Sequence, residues 1–189
     1  MHVHTAQYHR ELRRRRKQIK LPFGAERLLA ILEGIEGGFA IGAGIVVGLS
    51  FATDNRTLLL ITATISLLVN GFNSSAVKYS AEHYTDELDG QEKRSPFKYY
   101  FMPALLEFIA YSIVCLIILV PLRFISDMNY AAVFCVVITL VTLFAAGFWR
   151  GYLMQRQHKL RDGVELAFLG SLIILVGALS GLALHTFSV

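Results

Sequence analysis

Cysteine is scarce in this chain, with two in 189 residues, Cys115 and Cys135. Both fall inside long apolar runs, which argues against a disulfide framework or a thiolate metal centre and marks them as buried thiols. No G-x-x-x-x-G-K-[ST] loop is present to cradle nucleotide phosphates, and no G-x-S-x-G elbow to present a nucleophilic serine. No cluster joins a nucleophile to a base, so the chain does not read as an enzyme and no ATP-driven step is expected within it. Residues Met1 to Lys20 lack the short apolar segment of a secretory signal.

Apolar sequence, in contrast, is abundant. Hydrophobic residues make up 54% of the chain and the mean hydropathy is +0.52, more than one soluble core of this size can absorb. Crossing the hydrocarbon layer takes roughly 20 apolar residues per helix. Five such runs occur, at about Leu28–Ala52, Leu58–Tyr79, Phe101–Leu122, Tyr130–Trp149 and Gly163–Phe187. The expected fold is therefore all-α: a polytopic membrane protein with five transmembrane helices (28–189) behind a basic tail (1–27). The spacing allows a short surface helix over Gln7–Lys20, broken at Pro22. Asp54, Asn55 and Arg56 read as a tight turn, and Ser80–Lys98 as a polar loop. Pro103 sits in a first helical turn, where its missing N–H costs little.

Basic residues are nearly absent from one side. Of the 18 lysines and arginines, only Arg56 and Arg123 fall in the loops on that side. The other sixteen lie in the tail, the second loop, the fourth loop and the adjoining helix ends. By the positive-inside rule the N-terminus is cytoplasmic and the C-terminus is on the far side. The tract Arg13, Arg14, Arg15, Arg16, Lys17 and Lys20, next to a span, reads as a contact for anionic lipid rather than nucleic acid. Short loops make a prokaryotic plasma membrane the default location.

The first span carries Gly34, Gly38 and Gly42 in one register and Gly44 and Gly48 in another. Small residues at four-residue spacing let helix backbones approach closely in lipid. Two stripes allow contacts on two sides, and a homodimer through spans one and two is one way to use them.

Ionisable groups inside a span are costly and mark cavities or pathways. Four carboxylates qualify: Glu33 and Glu36, three apart on span one, Glu107 on span three, and Glu165 at the start of span five. At 1.5 Å per residue, these and the Asn70, Asn73, Ser74 and Ser75 group of span two fall in one layer near the cytoplasmic face. Oxygen donors of this kind suit a hard or borderline divalent cation, and burial favours proton uptake by a carboxylate. For Glu33 and Glu165, placement among headgroups is the alternative. His83, Asp86, Glu87, Asp89 and Glu92 of the second loop read either as a solvated patch or as a cation-gathering one. Candidate metal-contacting residues are Glu36, Asn73, Ser74, Glu107 and Glu33. No cofactor is expected; a divalent cation would be the transported substrate.

These features resemble the vacuolar iron transporter family. "PALLEFIAYSIVCLIILVPL" (Pro103–Leu122) is similar to that family's third span. "LFAAGFWRGYL" and "LRDGVELAFLG", between Leu143 and Gly170, are similar to the end of its fourth span and the start of its fifth. "EGG" at Glu36–Gly38 stands where the family has Asp-Gly. The family's Ser-Met-Ala-x-Gly-Glu-Tyr motif of span two reads here as Asn73-Ser74-Ser75-Ala76-Val77-Lys78-Tyr79, with serine at the methionine position and lysine at the glutamate position. The resemblance implies a homodimer that exports ferrous iron or manganese from the cytosol in exchange for protons, along a path lined by spans one and two. In that reading Glu36 is the principal ligand, assisted by Asn73, Ser74 and Glu107. Ser74 and Lys78 support an alternative, an accessory membrane subunit that keeps the fold without the metal site.

Overall fold

The computed structural model describes residues 24–90, 95–154 and 158–188, and the tail helix expected over 7–20 lies outside them. Among the described residues five long helices follow one another: α1 (Ala25–Ala52), α2 (Arg56–Leu88), α3 (Met102–Phe124), α4 (Met128–Leu153) and α5 (Lys159–Ser188). Each is apolar and long enough to cross a membrane. The shortest, 23 residues, reaches about 34 Å at 1.5 Å per residue. The protein is an integral membrane protein.

α2 departs from expectation at its inner end. The sequence reading placed a polar loop from Ser80, but α2 runs 33 residues, to Leu88. Nothing in Ser80–Leu88 breaks a helix, since the stretch lacks glycine and proline. A helix that leaves the bilayer needs no apolar side chains to continue, so hydropathy marks the membrane edge rather than the helix end. The stop comes at Asp89 and Gly90, where Gly90 takes the left-handed φ of 64°. At the outer end the turn is also shifted. Arg56 opens α2, and Asn55 caps it by accepting from the Leu58 N–H at 3.1 Å. A π-helical turn, Phe97–Phe101, leads into α3, and Pro103 supplies no N–H at this junction.

α1 is the central helix and packs against all four others. Its two glycine registers serve two neighbours, both within the same chain. Gly34, Gly38 and Gly42 meet α3 at Glu107, Val114 and Ile118, whereas Gly44 and Gly48 meet α5 at Ile173 and Gly177. A Cβ on Gly48 would stand 2.7 Å from the Gly177 carbonyl oxygen, so the two backbones touch with no side chain between them. Gly177→Ala would drive its new methyl into the backbone of Gly44. Backbone cannot swing aside as a side chain can, and overpacking of this kind costs about 1–3 kcal/mol. The variant should melt several degrees below the parent in detergent; an unchanged midpoint would show that the seam is looser than described.

α2 and α5 bury the smallest share of their apolar windows. Their outer faces carry Ile61, Ile65, Val69 and Phe72, and Phe168, Leu175, Val176 and Leu179 respectively, all exposed. In a helical membrane protein these are surfaces for acyl chains or for another subunit. Cys115 and Cys135 are buried free thiols, as expected.

Candidate functional site

The loop between α1 and α2 and the loop between α3 and α4 lie together at one end. There the Arg56 guanidinium donates to the carbonyls of Ile125 (2.6 Å) and Ser126 (2.5 Å). The polar residues gather at the opposite end, the one that the charge distribution assigns to the cytoplasm. The antiparallel order of the helices brings them to one level.

α2 presents Asn70, Ser74, Lys78 and Glu82 at four-residue steps, which places them along one slowly winding stripe. α3 answers with Tyr111 and Glu107, also four apart. The Asn70 amide donates to the Tyr111 hydroxyl at 2.9 Å, and the Ser74 hydroxyl donates to Glu107 Oε1 at 2.7 Å. Gly71 makes room for this ladder, because a Cβ there would lie 2.5 Å from the Tyr111 ring. At the inner end of the ladder stands the Lys78 ammonium. It is paired with Glu33 of α1, lies 3.3 Å from Glu82 and 4.0 Å from Glu107 Oε2. Three carboxylates from three helices thus surround one cation. Glu107 is only 5% exposed, and its Oε2 has no hydrogen-bond partner.

Glu36 takes a different course. One turn deeper than Glu33 on α1, it accepts from Arg150 of α4 at 3.2 Å through Oε2 and 3.4 Å through Oε1. Three positions on a helix separate two side chains by about 60° around the axis. That is enough to send Glu33 to α2 and Glu36 to α4. Of the five residues expected to contact metal, the fold brings Ser74, Glu107 and Glu33 together, sets Glu36 against Arg150, and leaves Asn73 exposed on the outer face of α2. Glu165 is likewise exposed. Among the described residues, no three His, Cys, Asp or Glu side chains form a group that could hold a metal ion.

Three participants escaped the sequence reading: Glu82, Tyr111 and Arg150. Glu82 lay beyond the presumed end of the second span. Its signal was nevertheless present, in polar residues recurring every fourth position from Asn70. Tyr111 looked like one more aromatic of an apolar helix. Beside the ladder, an open hollow of about 320 Å³ is lined by Glu26, Ala81, Glu82, Thr85, Asp86 and Tyr100. Its floor is held by the Tyr100 hydroxyl, which donates to Asp86 Oδ2 at 2.9 Å.

The sequence profile of the VIT family matches residues 73–182, more than half of the chain. The protein belongs to the VIT family. The match takes in Ser74, Lys78, Glu82, Glu107 and Arg150, and so covers the α2, α3 and α4 contributions to both acidic sites. It stops short of α1. No curated protein matches the sequence. A VIT-family protein is a membrane transport protein rather than an enzyme.

Proposed function

We propose that this VIT-family protein moves a divalent metal cation, ferrous iron or manganese, out of the cytoplasm, with protons returning in exchange. The observation that carries this reading is the buried Glu107 near the basic end of the helices, with the Ser74 hydroxyl on one oxygen and Lys78, itself paired with Glu33, facing the other. Carboxylate and hydroxyl oxygens are the donors that such cations prefer. Glu107, buried and with one oxygen unsatisfied, supplies the central acceptor. An ionised carboxylate is costly away from water, so Glu107, with its side chain 6% exposed, calls for a cation or for a proton. An exchanger needs both responses. The open acidic hollow beside Glu82 would admit cations from the cytoplasmic side.

The test is flux of manganese and ferrous iron in proteoliposomes, with and without a pH gradient. Accumulation that follows the gradient and is lost in Glu107→Gln supports the reading. Absence of flux for both metals refutes it and favours the accessory subunit, which Lys78, seated among the carboxylates, also supports.

A homodimer belongs to this reading. Asn73 places an exposed amide on a face of α2 that is otherwise apolar, with Val69, Phe72 and Val77 around it. A polar group facing lipid gains from a partner helix. A cysteine replacing Asn73 should crosslink to the same residue of a second copy in native membranes. Both native thiols are buried, so they would not confuse the result. A crosslink-free Asn73→Cys protein would remove this face as the dimer contact.

A further inference from the structure

Lys78 has more carboxylates around it than a structural ion pair requires. One glutamate would neutralise it, yet it is paired with Glu33, stands 3.3 Å from Glu82 and leaves Glu107 Oε2 at 4.0 Å, beyond hydrogen-bond reach. That oxygen is buried and has no hydrogen-bond partner. Counted formally, the three carboxylates and one ammonium carry two negative charges in excess, the amount that one divalent cation would cancel.

The geometry also offers the lysine a second position. Glu82 lies one turn farther toward the cytoplasm on the same helix, the i, i+4 relation in which side chains meet readily. It lines the open hollow of about 320 Å³. Its carboxylate already stands 3.3 Å from the ammonium, so the long, flexible lysine stem can release Glu33 and keep Glu82 without disturbing α2.

We propose that Lys78 is a tethered stand-in for the transported cation. With the site empty, its ammonium neutralises Glu33 and screens Glu107. When a divalent cation settles between Glu33, Glu107 and the Ser74 hydroxyl, the ammonium withdraws to Glu82. The metal then balances two carboxylates and the lysine balances the third, so no formal charge is left over. The lysine thus sets the affinity of the site: a cation must displace it to bind, and it reclaims the carboxylates as the cation leaves. This inference rests on the reading of the cluster as a cation site.

The experiment is equilibrium binding of Mn²⁺ to the purified full-length protein in detergent, with folding checked by thermal melting. Lys78→Gln removes the competitor and should bind Mn²⁺ at least tenfold more tightly than the parent. Lys78→Arg keeps the charge and should show no gain, and Lys78→Gln combined with Glu107→Gln should lose the gain. Unchanged affinity in folded Lys78→Gln overturns the proposal and makes Lys78 a structural partner only. Should Lys78→Gln fail to fold, Glu82→Gln tests the second position with the lysine retained. Affinity should fall about tenfold, because the ammonium has nowhere to go, whereas unchanged affinity overturns the two-position lysine. These outcomes separate from those of the transport reading. Flux in the parent with unaltered binding in Lys78→Gln defeats the lysine proposal alone. No flux in the parent, with a Glu107-dependent gain of binding in Lys78→Gln, defeats the transport reading alone.

Discussion

Glu107→Gln should reduce divalent-cation flux at least a hundredfold while the protein still folds. The side chain is nearly isosteric, and the Gln carbonyl can accept from the Ser74 hydroxyl as Glu107 Oε1 does at 2.7 Å. The contact with Gly34 is made by the Glu107 backbone carbonyl, so the helix bundle has no reason to loosen. What disappears is the negative charge at the most buried carboxylate of the cluster, 5% exposed. A hundredfold loss corresponds to about 2.8 kcal/mol at 1.4 kcal/mol per decade. Charge-assisted contacts are worth about 1.5–3 kcal/mol each, so losing one contact to the metal is sufficient. Tracer uptake into proteoliposomes, normalised to folded protein, measures the effect. Retention of more than half the parental rate would remove Glu107 from the pathway.

A second large effect concerns stability. Arg150→Met should destabilise the protein by about 2–3 kcal/mol, because it strands Glu36 without its only ion-pair partner among the described residues. The Glu36 side chain is 13% exposed, against 32% for Arg150. The penalty therefore falls on the carboxylate, and the partial exposure of the arginine keeps the cost at the lower end of what breaking a buried pair entails. Adding Glu36→Gln to Arg150→Met should restore most of the loss, since a neutral amide is far cheaper to bury than an unpaired charge. Chemical or thermal denaturation of the two single variants and the double variant in detergent gives the coupling energy directly. Additive losses would mean that the two groups do not depend on each other.

Much of the architecture was legible in the sequence because the bilayer imposes it. A hydrocarbon layer of fixed thickness dictates the length of each apolar run, and lysine and arginine placement orders the loops. The level at which Ser74 and Glu107 meet could be reckoned from the rise per residue, since consecutive spans must run antiparallel. The glycine registers of α1 announced close packing on two sides, and both sides are occupied within the chain.

Rotation around a helix axis was harder to read. Glu33 and Glu36 share one end of α1, but their partners lie on different helices, and Arg150 is 114 positions away from Glu36. Nothing in local spacing says that α4 stands beside that part of α1. Glu82 was missed because hydropathy falls where α2 leaves the membrane, although the helix itself continues. Lys78, at a position where the family pattern carries an acid, reads from sequence as support for a fold kept without the metal site. Its surroundings are contributed by α1, α2 and α3 together, and only the packed bundle reveals that it sits among their carboxylates.

The clasp of Arg56 on the carbonyls of Ile125 and Ser126 gives α2 a fixed outer anchor, while Lys78 ties its inner part to α1. If the lysine lets go, the helix is still held to α3 through Asn70 and Ser74 and to the π-helical turn through Asp86. The bundle therefore keeps its shape when the lysine moves, and the charge at this level can be redistributed by one side chain without a helix leaving its neighbours.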